Sequence, residues 1–145
     1  GAKEYIIDDA ELAKVQRNYP VIWKKPDAAP KLCFVGCPHL SLQQLKDWTD
    51  NIEAELKKNG KSKVTVPTVF TAAPAVLKEF EKTAYAERLK ATGVITSYIC
   101  PLMYMNNPLC KKMPVITSSN KLRTYTTARY FTTDDITKIV VKGGY

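Results

Sequence analysis

Only one histidine occurs in these 145 residues, and only six glycines. The lone His39 has no GxSxG serine to serve, which excludes the usual hydrolase triad. Neither GxGxxG nor GxxxxGKS/T occurs, so a Gly-rich loop cradling a nucleotide is excluded too. Four cysteines in a chain this long do not make a disulfide framework, which belongs to short secreted domains that cannot build a core, so they read as thiols or metal ligands. Long apolar runs are missing as well. None approaches the roughly 20 residues of a membrane span, and the N-terminus lacks the basic, apolar and small-residue order of a secretory signal. No internal repeat or low-complexity stretch interrupts the chain. These absences together indicate a cytoplasmic, globular chain, and Gly1 reads as a residue left by cleavage from something longer.

The sequence does hold an ordinary globular balance of 45% apolar and 25% charged residues, at a length suited to one domain, residues 1–145. The net charge of +8 raises the question of nucleic acid. However, the lysines and arginines come as pairs at most, Lys24-Lys25, Lys57-Lys58 and Lys111-Lys112, and are interspersed with carboxylates. Nucleic acid is therefore not expected as a partner, and the charge reads mainly as a solvated surface.

Asp8 or Asp9 caps a short helix through about Arg17, ended by Pro20, and residues 23–30 read as a loop. Lys31 to Gly36 is a continuous apolar run, as expected of a central parallel strand buried on both faces. Ser41 and Gln44 form a capping box, and Leu42, Leu45, Trp48, Ile52 and Leu56 then recur at helical spacing up to Asn59-Gly60. Residues 64–70 are β-branched, although Pro67 argues for an edge strand or a bulge. Pro74 opens a second long helix that stops at Gly93. Residues 93–99, 113–117 and 136–141 read as further strands, with an irregular loop after Pro101 and a helical turn within 121–129. Strands alternating with helices imply an α/β layered sandwich, its mostly parallel sheet covered by helices on both faces. Ligands of such sheets bind beyond the carboxyl ends of the strands.

Three polar clusters fall at those ends: Cys37-Pro38-His39-Leu40-Ser41, Cys100-Pro101, and Thr117-Ser118-Ser119-Asn120-Lys121. Cys37 follows a glycine and precedes a capped helix, an arrangement that favours a thiolate, although free cysteines are also simply buried. A zinc site from Cys33, Cys37 and His39 is weakly supported, because strand residues four apart do not converge readily. Cys33 lies inside the strand and reads as core, and Cys110 as incidental. His39 is either a satisfied structural histidine or an acid, base or ligand contact. Ser118, Ser119 and Lys121 either cap a helix or hold a carboxylate or phosphate, with Arg123 and Arg129 adding positive field. Tyr125 is open between packing and contact.

Val35-Gly-Cys-Pro-His-Leu-Ser-Leu42, the stretch Gly93 to Cys100-Pro101, and Ser119 with Lys121 and Tyr125 resemble the catalytic domain of aconitase X, in the C-terminal part of its large subunit. Where that family commonly reads Asn-Ser-x-Lys-x-x-His-Tyr, this chain reads Ser118-Ser119-Asn120-Lys121-Leu122-Arg123-Thr124-Tyr125. The resemblance implies an iron–sulfur-dependent dehydratase acting on a small hydroxy acid, such as cis-3-hydroxyproline or phosphomevalonate. It further implies Cys37 and Cys100 as two metal ligands, His39 as a catalytic or substrate contact, and Ser118, Ser119, Lys121 and Tyr125 as substrate-binding residues. The family's third cysteine lies in a Thr-Cys-Thr-Pro-like motif that this chain lacks. A cluster would then require the remainder of the large subunit, and activity would also require a small swivelling subunit, leaving the isolated chain inactive. The alternative is a non-catalytic ligand- or protein-binding α/β module that has lost the cluster.

Overall fold

The computed structural model describes residues 1–145, folded into a five-stranded, all-parallel sheet with eight helices. The strands are β1 (Leu32–Leu40), β2 (Thr68–Ala72), β3 (Ile95–Ser97), β4 (Val115–Thr117) and β5 (Arg129–Tyr130). The helices are α1 (Asp9–Arg17), α2 (Leu42–Lys58), α3 (Pro74–Phe80), α4 (Ala84–Ala91), α5 (Pro101–Met105), α6 (Pro108–Lys112), α7 (Asn120–Tyr125) and α8 (Thr133–Lys142). In space the strand order is β3-β2-β1-β4-β5, so β1 is the central strand.

Alternation along the strands divides the interior in two. Cys33, Val35, Phe70 and Ile116 belong to the larger core with α2, α3, α4 and α8, which contribute Trp48, Ile52, Phe80, Leu89 and Ile136. Phe34 and Val115 belong to a smaller core with Met105 of α5 and Leu122 of α7. Successive strand residues point to opposite faces, so one apolar run feeds both layers. Helix α2 forms because its apolar residues recur every three or four positions behind an intact capping box. In that box Gln44 N–H donates to Ser41 Oγ at 3.2 Å, and Ser41 N–H to Gln44 Oε1 at 2.9 Å.

Four sequence expectations are corrected. Residues 136–141 form a helix, because the caps outweigh β-branched propensity: Thr132 Oγ1 accepts from Asp135 N–H, Asp134 and Asp135 occupy the first turn, and Gly143 closes the end in the left-handed region. The helix expected from Pro74 to Gly93 is two helices, because Thr83 turns extended and its hydroxyl donates to Phe80 O at 2.7 Å. Pro67 does not mark an edge. It sits one residue before β2, where its missing N–H costs nothing and its carbonyl accepts from Cys33 N–H at 2.9 Å. The loop expected after Pro101 holds two single-turn helices, each with proline in its first turn. No helix is long and apolar enough to cross a membrane.

Candidate functional site

From β1 the chain runs outward through β2 and β3, then returns past β1 to form β4 and β5 on its other side. The winding direction therefore reverses between β1 and β4, and the region beyond their carboxyl ends is the usual ligand position in such sheets. All three polar clusters singled out in the sequence end near this point.

Strand β1 reaches it through a local distortion. Its register against β2 shifts between Val35 and Leu40, and Gly36 takes φ +109°. A Cβ on Gly36 would collide with the Thr71 carbonyl oxygen and lie 2.6 Å from Thr71 Oγ1. Only glycine fits both the dihedral angle and the space. Thr71 is fully buried and its hydroxyl donates to Gly36 O at 2.6 Å, locking β2 onto the bulge. The Cys37–Pro38 peptide that follows is cis.

The bulge turns Cys37 into the smaller core at 5% exposure, while Pro38 and His39 face solvent. Cys100, the residue before α5, packs against that same core, near enough to raise the pKa of the Cys37 thiol. Ser119 caps α7 by accepting Leu122 N–H at 3.0 Å and donates its own proton to Cys37 O. Lys121, in the first turn of α7, is exposed and near enough for its charge to act on Cys37. Burial pushes the Cys37 thiol above its ordinary range, and Cys100 adds to that, while the Ser119 hydroxyl and the Lys121 ammonium pull it down. Cys37 is therefore a shielded thiol whose conversion to thiolate needs a cation or metal close by.

The other expected residues are placed unevenly. Ser118 is half-buried beside Ser119, and Tyr125 stands 72% exposed at the far end of α7. Cys33 is fully buried in the larger core, on the opposite face of the sheet from Cys37. Cys110 packs against the smaller core from α6. No three Cys, His, Asp or Glu side chains converge anywhere, so neither the zinc grouping nor a complete cluster site exists within this chain. Thr71 escaped sequence reasoning, because a threonine in a β-branched strand carries no sign that it supports a neighbouring turn.

Desolvation also holds Cys33 as a thiol far above the ordinary range. The raised folded value means that the unfolded chain releases this proton first. The contribution is fully present below about pH 8.5 and declines as pH rises toward the folded value. Urea unfolding at pH 8–10 is therefore expected to show a stability slope that Cys33→Ala makes shallower, by an amount that grows through this window toward about 1.4 kcal/mol per pH unit at its upper end.

Comparison with known proteins identifies this architecture. The chain superimposes on the crystal structure of Thermococcus kodakaraensis aconitase X in its holo-form with a TM-score of 0.71 and 19% sequence identity. The match covers 92% of this chain and 33% of that one, so the chain spans about a third of its relative's length. A search of the curated proteins finds no match. The family model of the aconitase X third domain matches residues 30–140, a span that includes all five strands, and by that match the chain belongs to the aconitase X third-domain family.

Proposed function

We propose that this chain is one domain of an iron–sulfur-dependent hydro-lyase and supplies two of three thiolate ligands, Cys37 and Cys100, to a composite site. The observation that supports the reading is that Cys37 and Cys100 pack in one small core by the sheet's switch point, in a chain of this family. The donor set fits such a cluster in kind, since thiolates are its ordinary protein ligands, but not in number. A third cysteine must come from elsewhere in the assembly, in keeping with a chain that covers a third of its structural relative. When bound, a cluster held by three cysteines offers an open iron that acts as a Lewis acid on a substrate hydroxyl or carboxylate.

This chain's own residues bind and orient in that reading. Lys121, exposed beside the thiols, draws a carboxylate or phosphate toward them, with Ser118 beside it. Ser119 positions rather than catalyses. Its hydroxyl ties the Cys37 carbonyl to the first turn of α7, so Cys37 and Lys121 keep a fixed relation. His39, solvent-facing two residues after Cys37, would exchange a proton with the substrate in this reading. The substrate class is a small hydroxy acid, carboxylated or phosphorylated, and its dehydration needs the other domains and a small subunit as partners. A compartment that keeps thiols reduced, the cytoplasm, suits four unpaired cysteines.

Anaerobic reconstitution tests the reading. The chain alone should retain no cluster, whereas the chain combined with the remainder of the large subunit and the small subunit should bind iron and sulfide and absorb in the visible. Iron-free assembled protein would sink the proposal and favour a binding module that has lost its cluster.

A further inference from the structure

Lys24-Lys25 and Lys111-Lys112 lie far apart in sequence, yet the fold brings both pairs to one groove of about 760 Å³. The loop bearing the first pair is pinned there: Trp23 is 8% exposed, its indole N–H donates to Thr127 O at 2.8 Å, and the Arg129 guanidinium stands over the ring. The second pair closes α6, and the groove continues to Pro114, which accepts Lys31 N–H at the amino ends of β1 and β4. No carboxylate lines it. The acid nearest in sequence, Asp27, is not part of the lining, and the chain's ion pairs, formed by Lys14, Lys82 and Arg88, involve none of the four lysines.

We propose that this groove is a binding site for a small molecule carrying two or more linked phosphate groups. Four unpaired ammonium groups around one concavity concentrate positive potential and raise the local concentration of anions. Each ammonium is a point charge on a flexible stem with three donors, which suits the many oxygens of a phosphate chain better than a single planar carboxylate. Trp23, Met113 and Pro114 give the groove an apolar wall, and its volume lies within the range of ligand pockets, about 300–1,000 Å³. A bounded pocket favours a compact ligand over an extended acidic polypeptide, which would need a longer cationic track than the interspersed charges elsewhere provide.

Titration calorimetry at constant ionic strength, with inorganic tripolyphosphate and ADP as separate probes, tests the site. Tripolyphosphate should bind at one site per chain, and Lys24→Glu with Lys111→Glu should weaken it at least about tenfold. Lys57→Glu with Lys58→Glu, at the end of α2, should change it by no more than about twofold. ADP binding more tightly than tripolyphosphate would show that the apolar wall takes the base, and equal binding that the phosphate chain alone is read. Both support the site. Should the Glu variant fail to fold by circular dichroism, Lys24→Gln with Lys111→Gln keeps the stems and is read in the same way. Undetectable tripolyphosphate binding, equal loss in the two charge-reversal variants, or tighter binding of an acidic peptide would overturn the proposal.

Discussion

Gly36→Ala destabilises this fold by about 2–6 kcal/mol, measured by urea unfolding, a large share of the roughly 5–15 kcal/mol that holds a typical domain together. Two costs combine. At φ +109° an alanine sits in a region that L residues rarely adopt, and its Cβ meets Thr71 from two directions, the carbonyl oxygen and the hydroxyl. The obstruction is largely backbone, so no rotamer change relieves it, and either β1 or β2 must move. Because Thr71 also donates to Gly36 O, movement breaks a buried hydrogen bond. The control is Thr71→Ser, which keeps the hydroxyl and the bond and should cost much less than Gly36→Ala. Comparable losses in the two variants would mean that crowding at the bulge is not what makes glycine necessary there.

Cys37→Ser and Cys100→Ser should each abolish cluster retention and dehydratase activity in the assembled protein, even though each replaces one atom. A hydroxyl is a poor substitute for a thiolate toward iron, and a site that already needs one ligand from outside this chain has none to spare. Cys33→Ser provides the contrast, since that sulfur lies in the other core: it should lower stability by placing a hydroxyl among apolar side chains, while iron per folded assembly stays unchanged. Cys110→Ser should leave both cluster and activity in place. Unchanged iron content in Cys37→Ser would remove Cys37 from the ligand set.

The same residues show what sequence alone could reveal. The run from Lys31 to Gly36 was bound to be a central strand, because a continuous apolar segment ended by glycine needs cover on both faces. The capping box likewise fixed the start of α2. The clusters around Cys37, Cys100 and Ser119 were recognisable as strand ends, but their meeting depends on strand order, which no local pattern encodes. Residues 136–141 have the β-branched content of a strand, but the Thr-Thr-Asp-Asp start and the Gly143 stop make the segment a helix. The lysine groove was hidden in the same way. Two dispersed pairs become one field only when the loop after Trp23 docks against Thr127.

The central claim is that Cys37 and Cys100 form one dithiol site at the switch point of the sheet, and a trivalent arsenical, which needs two neighbouring thiols, tests it on this chain alone. Phenylarsine oxide should bind one equivalent per folded chain and protect both Cys37 and Cys100 from alkylation, as read by mass spectrometry, and either serine variant should abolish uptake. Two thiols that alkylate independently in the presence of the arsenical, or uptake that survives Cys100→Ser, would contradict the account.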